Sequence, residues 1–289
     1  MKCNKKHTNV LGHRMAYIDE GEGQTILLLH GNPTSSYIWR NIIPHLTGFA
    51  RCVAPDLIGM GDSDKLPNTG PDSYTFVEHQ KYLEALYSQL NLGNHVVVVG
   101  QDWGSALAFD WAYRNQGRLK GIVHTESIPC EWTREDFPIP DDGLDNFLAL
   151  RTHAGEEMIL GSNFFVEYTM PHGTLRKLTE EEMNEYRRPF LKAGEARRAT
   201  LTWPRQIPFE GSPADVDHII ADYAAWLPKS DVPKLYVDAE PGFIVTGKIR
   251  DWVLSWESQS VVTVKSKHFV QEDAPDEVGR AIADWYAKI

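Results

Sequence analysis

The sequence places an aspartate in a turn that ordinarily presents a catalytic serine. The motif Gly-Gln-Asp-Trp-Gly at residues 100–104 follows the valine-rich run of residues 95–99 and precedes a helix-like segment at residues 105–112. In a strand, turn and helix of this kind, the flanking glycines permit a sharp turn that exposes the central side chain. That side chain belongs to Asp102, and no G-x-S-x-G motif occurs elsewhere in the chain. The turn therefore predicts a carboxylate nucleophile.

Replacing serine by aspartate changes the reaction that such a turn can catalyse. A serine that attacked a saturated carbon would form an ether, which water does not readily cleave. An aspartate that attacks the same carbon forms an ester, which an activated water can hydrolyse. Asp102 therefore predicts displacement at an sp³ carbon, or opening of an epoxide, rather than cleavage of a peptide or an ester.

Hydrolysis of that ester requires a base to activate water, and His268 has the expected position. It follows the strand-like residues 260–264 and precedes a helix start at residue 273. In α/β-hydrolases the order along the chain is nucleophile, acid and histidine. The chain has eleven histidines, and a histidine in a loop is ordinarily a surface residue without a catalytic role. The place of His268 after the last predicted strand favours the catalytic role instead.

Three carboxylates are candidates for the acid that orients His268. Glu126 lies at the carboxyl end of the strand that follows the Asp102 turn. Asp238 and Glu240 lie at the end of the next strand. Either strand could bring its carboxylate to the histidine, so position in the chain leaves all three open.

Two neutral hydrogen-bond donors flank the predicted nucleophile. Asn32 lies in the loop of residues 30–33, and a loop in this position supplies a backbone N–H to an oxyanion hole. Its amide NH₂ is a further donor, and the indole of Trp103 can only donate. Neutral donors beside a carboxylate suit a departing halide, an anion that needs no proton. Asn32 and Trp103 are therefore predicted to bind halide and to form the oxyanion hole with their backbone N–H groups.

Strands and helices alternate along most of the chain. The strand-like stretches are residues 14–19, 25–30, 52–55, 95–100, 121–126, 234–238 and 260–264, and the helix-like stretches are residues 36–46, 74–90, 105–112 and 273–289. This order predicts an α/β fold with a mostly parallel sheet flanked by helices on both faces. Residues 128–231 are instead helical and loop-like. We interpret the chain as a core domain of residues 1–127 and 232–289 with an inserted helical cap of residues 128–231.

Composition narrows the function classes. The 289 residues carry a formal net charge of −11, which argues against nucleic acid or an anionic membrane surface as a partner. Three widely spaced cysteines predict a reducing, cytoplasmic location without a disulfide framework. The polar first residues predict no signal peptide, and the apolar runs are too short to span a membrane. There is no His-Glu-x-x-His, paired-cysteine or complete G-x-G-x-x-G motif, so neither a metal nor a nucleotide is expected.

From about residue 9 to residue 289 the chain resembles the haloalkane dehalogenases of the α/β-hydrolase fold. The matching segments are residues 30–37, 56–64, 100–104, 163–167, 203–208, 240–242 and 268–273. The resemblance implies an Asp102–His268–Glu126 triad, halide donors Asn32 and Trp103, and no cofactor. It also implies a hydrophobic pocket walled by Phe137, Phe147, Phe165, Thr169, Trp203, Pro204, Ile207, Ile244 and Phe269. One departure is Gln101, where many relatives carry histidine; we expect it to tune packing without abolishing the chemistry.

Other enzyme classes share parts of this pattern. Renilla-type luciferases, which are coelenterazine-using monooxygenases, resemble the chain in the same motifs. Pro33 and the stretch of residues 131–138 favour the dehalogenases. Epoxide hydrolases typically have Trp at the position of Asn32, and fluoroacetate dehalogenases typically have Arg at the position of Trp103. A degenerate hydrolase that serves as a binding module is disfavoured because Asp102 and His268 are both present.

The sequence thus predicts a haloalkane dehalogenase that forms an alkyl ester on Asp102. The expected partners are a small apolar halogenated substrate, a halide ion and water. We expect a monomer or a weak homo-oligomer.

Overall fold

The fold is built around one mixed sheet of eight strands. The computed structural model describes residues 4–139 and 142–289, so residues 1–3 of the predicted core and residues 140–141 of the predicted cap lie outside it. The strands are β1 (Lys6–Val10), β2 (His13–Glu20), β3 (Thr25–Leu29), β4 (Arg51–Pro55), β5 (Val96–Asp102), β6 (Leu119–Ser127), β7 (Lys234–Pro241) and β8 (Gln259–Ser266). Their order in the sheet is β1-β2-β4-β3-β5-β6-β7-β8.

The sheet is mostly parallel, as predicted. Only β2 pairs antiparallel with its neighbours, β1 and β4, while the strands from β4 to β8 all pair in parallel. Every residue of β3 and β5 is buried. A strand without alternation of buried and exposed residues is typical of a parallel sheet covered on both faces. The carboxyl ends of these central strands therefore share one edge, and this edge carries the candidate site.

Eleven α-helices are present among the described residues. They are α1 (Phe76–Leu90), α2 (Trp103–Arg114), α3 (Gly143–Leu150), α4 (His153–Glu156), α5 (Met170–His172), α6 (Glu180–Arg187), α7 (Arg198–Gln206), α8 (Ala214–Trp226), α9 (Gly247–Leu254), α10 (Val270–Asp273) and α11 (Pro275–Tyr286). Helices α3 to α8 all fall between β6 and β7, where the described residues form no strand of the sheet. Two π-helical turns, Glu157–Gly161 and Phe165–Thr169, lie in the same segment. None of the helices in the described ranges is long and apolar enough to cross a membrane.

A cluster of charges around the buried pair Arg40 and Glu272 connects this helical segment to the region of His268. The guanidinium of Arg40 donates to both carboxylate oxygens of Glu272 at 2.6 and 2.7 Å, and to Glu182 of α6 at 2.9 Å. Arg176 and Tyr186 also donate to Glu272. Hydrogen bonds between charged partners are about twice as strong as neutral ones, so the cluster fixes α6 against α10.

Two stretches differ from the sequence expectation. Residues 36–46 form two short 3₁₀ turns, Ser36–Trp39 and Ile43–His45, instead of one helix. Pro44 lacks a backbone N–H and so cannot continue a helical ladder. The strand β1 was not predicted from the sequence. It lies at the sheet edge with mostly exposed polar residues and therefore has no apolar run.

Candidate active site

Asp102 ends β5 in a strained turn that leads directly into α2. Its backbone has φ +53° and ψ −131°, a conformation that non-glycine residues rarely adopt. A Cβ atom on Gly104 would overlap the backbone oxygen of Leu29, and a Cβ on Gly100 would overlap Ser105. The two glycines therefore let α2 start against the sheet, and the turn directs the Asp102 side chain to the carboxyl edge of the strands.

The two carboxylate oxygens of Asp102 have different partners. The backbone N–H of Asn32 donates to Oδ1 at 2.8 Å. The oxygen Oδ2 lies 3.5 Å from Nε2 of His268. The first contact is a hydrogen bond that orients the carboxylate, and the second places the histidine beside it. Asp102 is 9% exposed and borders a cavity.

Glu126 is the carboxylate that contacts His268. Its Oε2 accepts from Nδ1 of His268 at 3.0 Å. The backbone N–H groups of Phe243 and Ile244 donate to the same carboxylate at 3.1 and 2.8 Å. These bonds hold Glu126, and Glu126 in turn holds the imidazole with Nε2 towards Asp102. The structure therefore brings the three predicted residues of the triad together.

The competing carboxylates are engaged elsewhere or exposed. Asp238 accepts two hydrogen bonds from Arg250, at 2.8 and 2.6 Å. Burial raises the pKa of Asp238, but the pair with Arg250 outweighs burial and holds the pKa below its usual value. Glu240 is exposed. Of the three candidates that chain position leaves open, Glu126 is thus the one whose carboxylate contacts His268.

The two carboxylates control the protonation of His268. Burial by itself lowers the pKa of the ring, yet hydrogen bonds and charge from Asp102 and Glu126 raise it to about 9. Their effect wins because a protonated imidazole can pair with both carboxylates at once. These two contacts therefore favour the protonated form of the ring in the free protein.

Asn32 and Trp103 both border the cavity that Asp102 borders. The side-chain Nδ2 of Asn32 donates one hydrogen to the backbone oxygen of Thr200 at 3.1 Å, and an amide has a second one to offer. Trp103 is the first residue of α2, so its backbone N–H belongs to the helix turn that lacks intrahelical acceptors. The structure therefore brings both predicted donors to the cavity that Asp102 borders.

The cavity next to Asp102 has a volume of about 380 Å³. Six of the predicted wall residues line it, namely Phe147, Phe165, Thr169, Pro204, Ile207 and Ile244. Their side chains come both from the helical segment and from the loop after β7, so the cavity lies between the sheet edge and the inserted helices.

Three residues predicted as walls do not line the cavity. Trp203 is fully buried between the rings of His79 and Trp103, and its indole N–H donates to Sδ of Met60 at 3.4 Å. Phe269 is fully buried and packs edge to face on His268. Phe137 packs behind the wall, against Phe147 and Trp132. The prediction was wrong for these three because apolar character alone does not separate a cavity wall from the packing behind it.

Other residues of the wall were not predicted from the sequence. Phe164, Tyr168 and His172 line the cavity and stack in succession, with ring centroids 4.8 and 4.0 Å apart. Their regular spacing of four residues was a usable signal, because residues four apart meet on one helix face. Trp132 also lines the cavity. No group of three His, Cys, Asp or Glu residues within residues 4–139 and 142–289 could hold a metal ion.

Comparisons with known proteins agree with this geometry. Residues 24–275 match the family model of the alpha/beta hydrolase fold. A haloalkane dehalogenase of Sphingobium indicum is 55% identical over 287 residues, which are 99% of this chain and 96% of that protein. Coelenterazine h 2-monooxygenase of Renilla reniformis is 40% identical, over 98% of this chain and 91% of that protein.

A solved structure gives the same result. The crystal structure of a haloalkane dehalogenase from Bradyrhizobium elkani matches with a TM-score of 0.93 and 40% identity, and the match covers 99% of this chain and 98% of that one. The α/β-hydrolase fold expected from the sequence is thereby confirmed. The chain belongs to the haloalkane dehalogenase family of α/β-hydrolases.

Proposed function

We propose that this protein hydrolyses carbon–halogen bonds of small haloalkanes through an ester on Asp102. The observation that carries the proposal is the place of the Asp102 carboxylate. It lies next to His268 and borders a mostly apolar cavity that the neutral donors Asn32 and Trp103 also line. A carboxylate in such a cavity is poorly solvated and can attack a saturated carbon. The products are an alcohol, a halide ion and a proton.

Asp102 acts first. Its Oδ1 is held by the backbone N–H of Asn32, which leaves Oδ2 as the attacking oxygen. Oδ2 forms a bond to the carbon as the carbon–halogen bond breaks, and the bonding electrons leave with the halide. Charge then develops on the halogen, and the indole N–H of Trp103 and the amide NH₂ of Asn32 stabilise it. Donors already in position are worth more than water here because they need no reorganisation.

Esterification prepares His268 for the second step. The carboxylate of Asp102 is one of the two groups that raise the pKa of His268 to about 9. When Asp102 becomes a neutral ester this contribution disappears, so the pKa of the ring falls and the ring loses its proton. His268 then becomes a base at the stage when water must be activated, and Glu126 keeps it oriented.

Hydrolysis restores the carboxylate. His268 takes a proton from water through Nε2 while the water oxygen attacks Cγ of Asp102. The negative charge of the tetrahedral intermediate falls on Oδ1, which the backbone N–H of Asn32 already contacts, with the N–H of Trp103 as second donor. The intermediate collapses with cleavage of the bond between Cγ and Oδ2, and the leaving Oδ2 takes the proton from His268, so the alcohol retains the former Oδ2. The carboxyl group, which retains the oxygen of water, then gives its proton to His268 and becomes a carboxylate again. The one proton released in each cycle is the proton that the ring lost at the ester stage.

The inserted helices supply most of the cavity wall, and this supports the proposed division into a core of residues 1–127 and 232–289 and a cap of residues 128–231. We also propose a monomer or weak homo-oligomer that works in the cytoplasm. Cys52 and Cys130 carry free thiols, which a reducing compartment preserves.

The test is release of bromide from 1-bromobutane or 1,2-dibromoethane, measured beside light emission with coelenterazine. The proposal expects bromide release that disappears in Asp102→Ala, whereas light without bromide release would assign the protein to the monooxygenase activity of the Renilla reniformis relative. The Asp102→Ala variant must keep the melting temperature of the wild type for the comparison to count.

A further inference from the structure

Gln101 contacts the nitrogen of His268 that has to receive the proton. Its side-chain Nε2 lies 2.9 Å from Nε2 of His268 and 3.3 Å from the backbone oxygen of the same residue. Gln101 is the second-last residue of β5 and is fully buried. The same ring nitrogen lies farther from Oδ2 of Asp102, at 3.5 Å. The carboxamide is therefore the nearer partner of the base.

The chemistry of the contact identifies the form of His268 that it favours. A carboxamide NH₂ only donates, and a backbone carbonyl oxygen only accepts. The NH₂ of Gln101 must therefore face His268, because the reversed amide would place Oε1 against the carbonyl oxygen. A donor at 2.9 Å from a ring nitrogen requires a lone pair on that nitrogen. The contact thus stabilises the neutral imidazole whose proton is on Nδ1, where Glu126 accepts it.

This contact opposes the effect of the charged neighbours. The charged groups that face His268 in the described structure are Asp102, at the end of β5, and Glu126, from β6, and both favour the imidazolium. In the free protein the two carboxylates compete with this one neutral donor for the protonation state of Nε2. In the ester intermediate Asp102 is neutral, so Glu126 is the one remaining carboxylate beside His268. The hydrogen bond that Gln101 donates to Nε2 then has a larger effect on whether His268 is protonated.

We propose that Gln101 is a positioning residue that keeps Nε2 of His268 unprotonated and aligned in the ester intermediate. Hydrolysis of the ester then proceeds at lower pH than it would with the two carboxylates alone. This inference rests on the proposed function. When water enters, the ring lone pair turns to the water proton, and the NH₂ of Gln101 keeps its bond to the His268 carbonyl oxygen. Alkylation does not use the base, so Gln101 acts on the second step only.

Two variants remove the donor in different ways, and a third serves as control. Gln101→Leu removes the hydrogen bond at similar volume. Gln101→Glu keeps the shape but replaces the NH₂ by an oxygen that stabilises the imidazolium. Gln271→Leu removes another fully buried carboxamide, three residues after His268, whose amide atoms have no hydrogen-bond partner in the described structure.

The measurement is rapid-mixing kinetics with 1-bromobutane, in which formation and decay of the alkyl-enzyme are followed separately against pH. The acid limb is the pH range in which the rate of decay falls because His268 becomes protonated. For Gln101→Leu the midpoint of this limb should move up by about 0.5 to 1 pH unit, the shift that corresponds to one neutral hydrogen bond. For Gln101→Glu it should move up by about 1 to 2 pH units, because hydrogen bonds to charged groups are stronger. Formation should change much less in Gln101→Leu, and Gln271→Leu should keep the wild-type limb.

An unshifted limb in either Gln101 variant, a shift towards lower pH, or an equal slowing of formation and decay in Gln101→Leu would overturn the inference. If Gln101→Leu does not fold, Gln101→Glu decides alone. Failure of the wild type to release bromide would instead overturn the proposed function, so the two failures are distinguishable.

Discussion

Trp103 stacks on Trp203 with ring centroids 4.6 Å apart and ring planes inclined by 25°. The other face of Trp203 stacks on His79, at 4.3 Å and 12°. The candidate halide donor is therefore the cavity end of a column of three aromatic rings. Because Trp203 and His79 are fully buried, they orient Trp103 and do not touch the cavity.

Removing the middle ring of this column should destabilise the protein. Trp203→Ala should lower the free energy of unfolding by about 3–5 kcal/mol, the usual effect of deleting a buried aromatic ring. Urea unfolding measures this loss, and Trp252→Ala, which removes a half-buried tryptophan of α9, should lose less. Equal losses in the two variants, with an altered substrate profile for Trp203→Ala, would return Trp203 to the cavity wall.

Removing either halide donor should slow carbon–halogen cleavage. Loss of one preorganised donor of an anion costs about 2.7–4 kcal/mol, or roughly 100- to 1000-fold in rate. Asn32→Ala and Trp103→Phe should each reduce bromide release on this scale and should weaken the quenching of tryptophan fluorescence by bromide. Trp252→Phe, outside the cavity wall, should leave the rate unchanged. Normal turnover in both donor variants would place the halide elsewhere.

The raised pKa of His268 should appear as a pH dependence of stability. The folded protein holds this pKa at about 9, above the ordinary value of 6.5, so its contribution to stability is complete below pH 6.5. That contribution is lost as the pH rises towards 9. The difference in unfolding free energy between the wild type and His268→Gln should therefore shrink over this range, because other titrating groups cancel in the comparison. If the difference in unfolding free energy grew with pH instead, the result would contradict the ion pairs of His268 with Asp102 and Glu126.

Two wall residues should control substrate preference. Thr169 and Ile244 line the cavity from two different elements. Thr169 belongs to a π-helical turn of the inserted segment, and Ile244 belongs to the loop after β7. Thr169→Ala and Ile244→Ala should shift preference towards longer or bulkier haloalkanes with little change in melting temperature, because the removed atoms face the cavity. Phe269→Ala, behind the wall, should lower the melting temperature instead. A large melting loss for the two wall variants, with an unaltered substrate profile, would assign them to the core.

The sequence predicts the backbone of this site better than its packing. Asp102 and His268 follow from a turn motif and from chain order, both of which depend on local sequence. The choice of Glu126 over Asp238 depends on a partner, Arg250, whose contact no local pattern indicates. The wrong prediction that Trp203 lines the cavity has the same cause, since its neighbours Trp103 and His79 are distant along the chain.

The contact between Gln101 and His268 is a further case. Sequence predicts only that Gln101 tunes packing beside the nucleophile. Its hydrogen bond depends on the side-chain conformations of two residues that meet only when the histidine loop folds back on β5. Side-chain contacts between distant segments therefore set the chemistry that local motifs leave open.

The central claim is that Asp102 forms a covalent ester, and trapping that ester tests it most directly. His268→Gln should still undergo alkylation but lose the base for hydrolysis, so incubation with 1-bromobutane should leave a stable adduct. Mass spectrometry should find one butyl group in place of a hydrogen, located on the peptide that contains Asp102, and no adduct in the double variant with Asp102→Ala. An active wild type whose His268→Gln variant carries no adduct, or carries it on another residue, would contradict the account.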